Sequence, residues 1–339
     1  MSLTTLRLGP EDISQGASIL RRGGLLGIPT ETVYGLGADG RNPRAVEAIF
    51  AAKGRPQDNP LILHIPGADW LGRYCDHIPP QAYALAERFW PGPLTIILKR
   101  RPCVPDVVTA GLDTVGMRCP DHPVTRAVIA AAGTPVAAPS GNTSGRPSPT
   151  CAAHMLEDMD GKIDGILDGG PCTVGVESTI IDLTAQPPRL LRPGGVSLEA
   201  LEEVLGPVEV DGAVRRLLAQ GEAPRAPGMK YRHYAPQAPV TVVRGAPAAA
   251  AAYIRQHCAP GEGVLCFREF TQDYPGCTVR DLGPAGDKAE QARRVFAALR
   301  SFDAAPVARI WAQCPDEGEL GLAVSNRLNK AAGFHIVEL

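Results

Sequence analysis

Proline and glycine punctuate this chain throughout, 33 and 37 of its 339 residues. Proline removes a backbone donor and glycine raises the entropy cost of ordering an element. The chain must therefore be built from many short elements joined by turns, not from long helices. Hydrophobic residues make up 44%, enough for sizeable cores, and a soft prior of roughly 150 residues per domain suggests two domains. The formal net charge of −2 gives no general pull toward nucleic acid or anionic lipid. Strong direct nucleic-acid binding is not expected; RNA would touch a local patch or be met later in a pathway.

The nine cysteines are scattered, without a CxxC pair or a histidine at a zinc-ligand interval, so no protein-held metal site is read. An odd number of thiols fits a reducing compartment. The first residues, Met1-Ser2-Leu3-Thr4-Thr5, lack the basic-then-apolar pattern of a secretory signal. No uncharged apolar run approaches the ~20 residues that span a bilayer. A cytoplasmic location is the expectation.

In the first half, apolar runs at 25–29, 61–65, 94–98 and 135–138 read as buried strands. Helical patterns lie at 79–89 and 123–132, and Val46, Ile49 and Phe50 share one face of a helix opened by Pro43. Further strands are expected at 179–183 and 189–191, then a short helix at 197–205. From about Gly206 the signals weaken into a stretch carrying Pro224, Pro227, Pro236 and Pro239, extended and semi-rigid as a linker should be. Its cluster Lys230, Tyr231, Arg232, His233 and Tyr234 equally suits a strap laid across a site. Beyond it, strands at 240–243, 263–267, 278–282 and 307–311 alternate with helices at 246–257, 289–302 and 320–332. That alternation argues for a small three-layer, Rossmann-like second domain. No GxGxxG follows its first strand, so the fold brings no dinucleotide with it. The expected division is 1–208, a linker at 209–238, and 239–339.

Common nucleotide and hydrolase motifs (GxxxxGK[ST], kinase loops, HExxH, GxSxG) are absent. Polar and small residues instead gather just after the expected strands, where α/β folds place ligands. In Pro29-Thr-Glu-Thr-Val-Tyr-Gly-Leu-Gly37, Thr30 and Thr32 share one side if the chain is extended; a plain polar turn would look the same. Lys53 and Arg55 stand at a helix end, where they complement the dipole. The stiff setting Lys53-Gly-Arg-Pro-Gln-Asp-Asn-Pro60 equally suits a fixed pair of cations for phosphate or bicarbonate. The run Ser140-Gly-Asn-Thr-Ser-Gly-Arg146 can form a concave nest of hydroxyls and backbone donors, with Ser148 a plausible N-cap. Arg118, Ser178 and Arg192 fall at strand ends. Together these read as a funnel for an anionic, phosphate-bearing substrate, and the residues alone stop there.

These segments, in this order, resemble the long form of the threonylcarbamoyl-AMP synthase family. The resemblance runs through PTETVYGLG at 29–37, KGRPQDNPLILH at 53–64, PGPLT at 91–95, VGMRCPDHP at 115–123 and SGNTSGRPSPT at 140–150. It continues through GVEST at 175–179, LRPGG at 191–195, PGMKYRHYAP at 227–236 and GLAVSNRLNKAAGF near the C-terminus. One departure is Gly141, where the family usually carries alanine; no loss of activity is expected from it.

The resemblance implies an α/β fold: a YrdC-like twisted mixed sheet with flanking helices and a concave cavity, followed by the smaller Rossmann-like domain. It implies that threonine and bicarbonate or carbon dioxide form a carbamate that attacks the α-phosphorus of ATP. The product would pass to a threonylcarbamoyl-transferase complex acting on tRNA. Threonine would be held by Thr32, His64, Arg118, Ser178 and the backbone near Ala138. ATP would meet Arg55, Asn59, Thr114, Ser140, Asn142, Ser148 and Arg192, with Tyr231, His233 and Tyr234 closing over it. Lys53 and Arg55 would supply catalytic charge, and Mg²⁺ would ride on the phosphates. Three other readings are a double-stranded RNA-binding or ribosome-maturation protein, a carbamoyltransferase of hydrogenase maturation, and a chain whose second domain is a partner-docking module and whose catalysis is vestigial. The charge, the missing CxxC and the complete Lys53, Arg55, Ser140, Asn142 set speak against them in turn.

Overall fold

The computed structural model describes residues 4–216, 224–227, 233–305 and 307–339. Twelve short strands form the first sheet: β1 Leu6–Leu8, β2 Leu26–Ile28, β3 Gly35–Asp39, β4 Ile62–His64, β5 Cys75–Asp76, β6 Leu94–Arg100, β7 Thr114–Arg118, β8 Val136–Ala137, β9 Gly165–Leu167, β10 Thr179–Asp182, β11 Arg189–Arg192 and β12 Glu209–Val210. Their order is β1-β9-β2-β3-β8-β4-β7-β6-β10-β11-β12, with β5 on β6, and pairings are both parallel and antiparallel. The expected mixed sheet is what forms. Buried clusters on its helices and faces, around Ile49, Leu63 and Leu98 and around Ile19, Ile28 and Val128, hold it together.

The second sheet is wholly parallel: β13 Val240–Arg244, β14 Gly263–Cys266, β15 Thr278–Asp281, β16 Ile310–Cys314 and β17 Ile336–Glu338, in the order β15-β14-β16-β13-β17. Helices 247–257 and 321–331 follow β13 and β16 and pack on opposite faces, the first with Val243 and Val264, the second with Phe296 and Leu299. This is the three-layer arrangement that the strand–helix alternation predicts. The first sheet takes its last strand from Glu209–Val210, so regular structure reaches into the stretch read as a linker.

The domains touch closely. Val33 and Val176 of the first and Tyr234 of the strap join the buried cluster of Phe296, Val324 and Leu328 in the second. At Gly175 (φ 82°) a Cβ would stand 2.4 Å from the Arg293 Cα, so only glycine lets helix Lys288–Ser301 lie this near. Two buried ion pairs cross the same border: Arg327 Nε donates to Glu177 at 2.8 Å and Arg300 Nη2 to Asp158 at 2.6 Å.

Candidate active site

Register lines the site up. His64 on β4 stands opposite Arg118 on β7, Arg118 opposite Thr95 on β6, Thr95 opposite Ile180 on β10, and Ile180 opposite Arg192 on β11. Paired positions on neighbouring strands point to one face. Residues nearly 130 positions apart thus share one concave wall, and Ser178, just ahead of β10, is bonded to two of them. Its Oγ lies 2.8 Å from the Thr95 hydroxyl and accepts from Arg192 Nη2 at 3.1 Å.

The opposite wall is made by loops. Helix Pro43–Lys53 ends at Gly54 in the left-handed region (φ 61°), with Gly54 N–H donating to Ala51 and Arg55 N–H to Phe50. This cap turns Arg55 into the cavity while Lys53 reaches across to the 140–146 loop. The Lys53 ammonium donates to the carbonyls of Ser140, at 2.5 Å, and Asn142. The same loop is joined to the first motif, because Gly141 N–H donates to Tyr34 O and Tyr34 N–H to Pro149 O. Asn142 spends its amide on the carbonyls of Thr143 and Arg146, leaving Oδ1 without a partner.

One cavity results, bordered by Lys53, Arg55, His64, Arg118, Ala138, Ser140, Asn142, Ser178, Arg192, His233 and Tyr234. Four further residues named from the sequence stand around it. Thr32 lies behind the wall, its Oγ1 2.8 Å from Thr30 Oγ1 and accepting from Arg118 Nη2 at 2.8 Å. Asn59 is buried, and its carbonyl accepts from Arg55. Thr114 lines an adjoining cavity that shares Ile62 and Pro227 with this one. Ser148 is not an N-cap: the following helix is capped at Cys151, and Ser148 Oγ donates to Glu177 at 2.6 Å. Tyr231 lies outside the described residues.

Electrostatics favour an anion. Burial, and then the neighbouring Arg55, pushes the Lys53 ammonium well below its usual range. Burial brings Arg55 and Arg192 down to about 10, which leaves both charged at neutral pH. His64 is brought to about 3 by burial and then Arg118, so it is neutral, with Nδ1 unpaired. Burial alone would raise Glu177, but Arg327, Arg192 and Ser148 outweigh it and hold the carboxyl near 2. Glu31 accepts from Arg118 Nη2 at 2.7 Å and from the Asp121 N–H at 3.0 Å. Both carboxylates are thus engaged, while Arg55 Nε and Arg118 Nε are buried without partners.

The strap closes the space. Tyr234 holds a left-handed backbone (φ 65°), its hydroxyl bonded to Glu177, its ring 5.1 Å from Phe296 and 5.7 Å from the Arg327 guanidinium. With His233 beside it, the cavity is about 50 Å³, room for one or two waters at ~30 Å³ each. As it stands the cavity is too small for a nucleotide. Sequence reasoning assigned no role to Glu31, Glu177 or Arg327. Arg327 had a signal: a lone arginine amid Ala323, Val324, Leu328 and Ala331 on one helix.

Comparison with known proteins identifies relatives over the whole chain. Residues 18–194 match the family model described as Telomere recombination, and residues 196–333 the model described as Threonylcarbamoyl-AMP synthase, C-terminal domain. The chain is 47% identical to the threonylcarbamoyl-AMP synthase of Bacillus subtilis, covering 96% of this chain and 94% of the relative. It is 46% identical to that of Pyrococcus abyssi, covering 95% and 94%. It superposes on the crystal structure of P. abyssi Sua5 complexed with L-threonine at a TM-score of 0.89 and 44% identity, over 99% of both chains. Matched over both domains and nearly end to end, the chain belongs to the threonylcarbamoyl-AMP synthase family.

Proposed function

We propose that this chain condenses L-threonine, bicarbonate or carbon dioxide, and ATP into threonylcarbamoyl-adenylate and pyrophosphate, acting as a nucleotidyltransferase in tRNA modification. The observation that carries the reading is the register line His64–Arg118–Thr95–Arg192. It faces Lys53 and Arg55 across one cavity, whose two nearby carboxylates are already engaged.

Arg118, with Nε unpaired, takes the threonine carboxylate, the natural partner for a guanidinium. Neutral His64, Thr32, Ser178 and the Ala138 backbone orient the amine and hydroxyl. The free amine attacks the carbon of carbon dioxide, forming the N–C bond as one C=O π pair moves onto oxygen, and the amine proton is released to solvent. A carbamate oxygen then attacks the α-phosphorus, the bond to the β-phosphate oxygen breaks, and pyrophosphate leaves with that electron pair. Lys53, Arg55 and Arg192 stabilise the charge that builds at phosphorus, so positioning and electrostatics replace covalent catalysis. Asn59, Thr114, Ser140, Asn142 and Ser148 shape the nucleotide's bed. Among the described residues no cluster of His, Cys, Asp or Glu could cage a metal. Mg²⁺ carried on the phosphates would neutralise their charge. Tyr231, His233 and Tyr234 would close over bound substrates to exclude water from a hydrolysable product. That product is handed to a threonylcarbamoyl-transferase complex acting on tRNA in the cytoplasm. Among the described residues no helix is long and apolar enough to cross a membrane.

Pyrophosphate release from ATP, measured with and without threonine and bicarbonate, tests the reading. Release should require both; release independent of threonine would overturn it. Arg118→Ala should raise the Kd for threonine at least tenfold and leave ATP binding nearly unchanged, and equal losses would contradict the assignment.

A further inference from the structure

A second cavity, distinct from the site above, opens where the C-terminal domain meets Val214 and Arg215 of the preceding stretch. It lies at the carboxyl ends of β16, β13 and β17, where parallel α/β sheets hold ligands when neighbouring strands feed helices on opposite faces. Arg244 is the last residue of β13, Glu338 the last of β17, and Glu317 follows β16. One face of helix Gly321–Ala331 closes it with Ser325, Asn326 and Asn329. The cavity measures about 200 Å³, too large for a single water and below the roughly 300–1,000 Å³ of pockets for drug-sized ligands.

Two buried atoms in it are unmatched, and they are of opposite kinds. Asn329, 4% exposed, leaves its Oδ1 acceptor without a partner; its Nδ2 makes a 3.4 Å bond to Ser325. The Arg244 Nε donor is likewise buried and unpaired. An orphaned buried polar atom costs ~1–3 kcal/mol and calls for an occupant. Around them the charges cancel. Arg244 Nη1 donates to Glu338 at 2.8 Å and Arg215 Nη2 to Glu317 at 3.3 Å. A balanced cavity does not attract a phosphate or nucleotide as the catalytic one does. It matches a small molecule that bears an anion and a donor cation at once.

We propose that this cavity binds a free α-amino acid. Its carboxylate takes the Arg244 Nε donor with Arg215 nearby, and its ammonium donates to Asn329 Oδ1 and to the Glu338 or Glu317 carboxylate. Because Asn326 lines the cavity and accepts from Arg327 at 3.2 Å, occupancy would be felt one residue away at the Arg327–Glu177 pair. The helix carries the ligand on one face and the active-site tie on the other.

Calorimetric titration of the full chain with each of the twenty amino acids, with acetate and ethylamine as single-charge probes, tests this. At least one amino acid should bind, and Arg244→Gln and Asn329→Leu should each weaken it tenfold or more. Glu338→Gln, at a side chain 61% exposed, should also weaken it and guards against misfolding in the other two. Threonine held in the catalytic cavity is told apart because its heat persists in Arg244→Gln and disappears in Arg118→Ala. The proposal falls if no amino acid binds at millimolar concentration, if every binding heat survives Arg244→Gln and Asn329→Leu, or if acetate or ethylamine binds as tightly as the amino acid.

Discussion

Two arginine–glutamate pairs, Arg327–Glu177 and Arg244–Glu338, both close at 2.8 Å, yet their surroundings differ. Side-chain exposures are 0% and 7% in the first and 28% and 61% in the second. In the first, water cannot replace a lost partner. Glu177 also accepts from Ser148, and Arg327 also donates to the Pro193 carbonyl, so the pair ties sheet, loop and second domain together. In the second, solvent screens the pair, and the more exposed Glu338 can be replaced by water. Equal bond lengths therefore carry unequal energies, and burial decides which pair builds the molecule and which is left free to meet a ligand.

Glu177→Ala should cost about 3–5 kcal/mol of stability, because it leaves Arg327 and Arg192 buried without compensation. Urea unfolding would show it, and a loss under 1 kcal/mol would break the contrast. Acid comes next. His64 and His233 have folded values near 3 against 6.5, both depressed first by burial. The unfolded chain takes up those protons and the folded chain refuses them, so stability falls as pH drops from about 6.5 toward 3. Glu177, folded near 2 against 4.5, adds a loss in the same direction below 4.5. Melting temperature against pH should decline across that window, and His64→Gln should flatten the curve. A smaller effect is expected at Gly141→Ala: the new Cβ would meet Met155 Sδ at 2.7 Å, overpacking worth about 1–3 kcal/mol. Met155→Ala should partly restore the double variant, since the flexible thioether fills the space an alanine would need. Smallest is Glu338→Gln, expected to change stability by less than about 1 kcal/mol as exposed pairs do.

Much of the element inventory was readable. The runs read at 61–65 and 179–183 contain β4 and β10, the run at 94–98 covers the first five residues of β6, and the four strands expected in the second domain contain or overlap β13 to β16. Three-residue strands β1 and β9 were not, because nothing local marks them; each exists through pairing with a distant partner. Strand β3 hides in Gly35-Leu-Gly-Ala-Asp39, glycines that a strand ordinarily disfavours. Tertiary packing reverses that preference, since a Cβ at Gly37 would lie 2.8 Å from Val136 Cγ1. Helices 13–21 and 152–159 were also unread.

By itself the sequence determined the family, the two α/β domains and most of the polar groups that border the cavity, because motif spacing and hydrophobic period are local properties. The tertiary structure alone decided which face each strand turns inward and how far each charge is buried. Those choices set His64 beside Arg118, drew Lys53 onto the backbone of Ser140 and Asn142, and locked Glu177 under Arg327. Register and burial arise only when distant segments pair, and they turned a list of polar residues into one charged cavity and one neutral cavity.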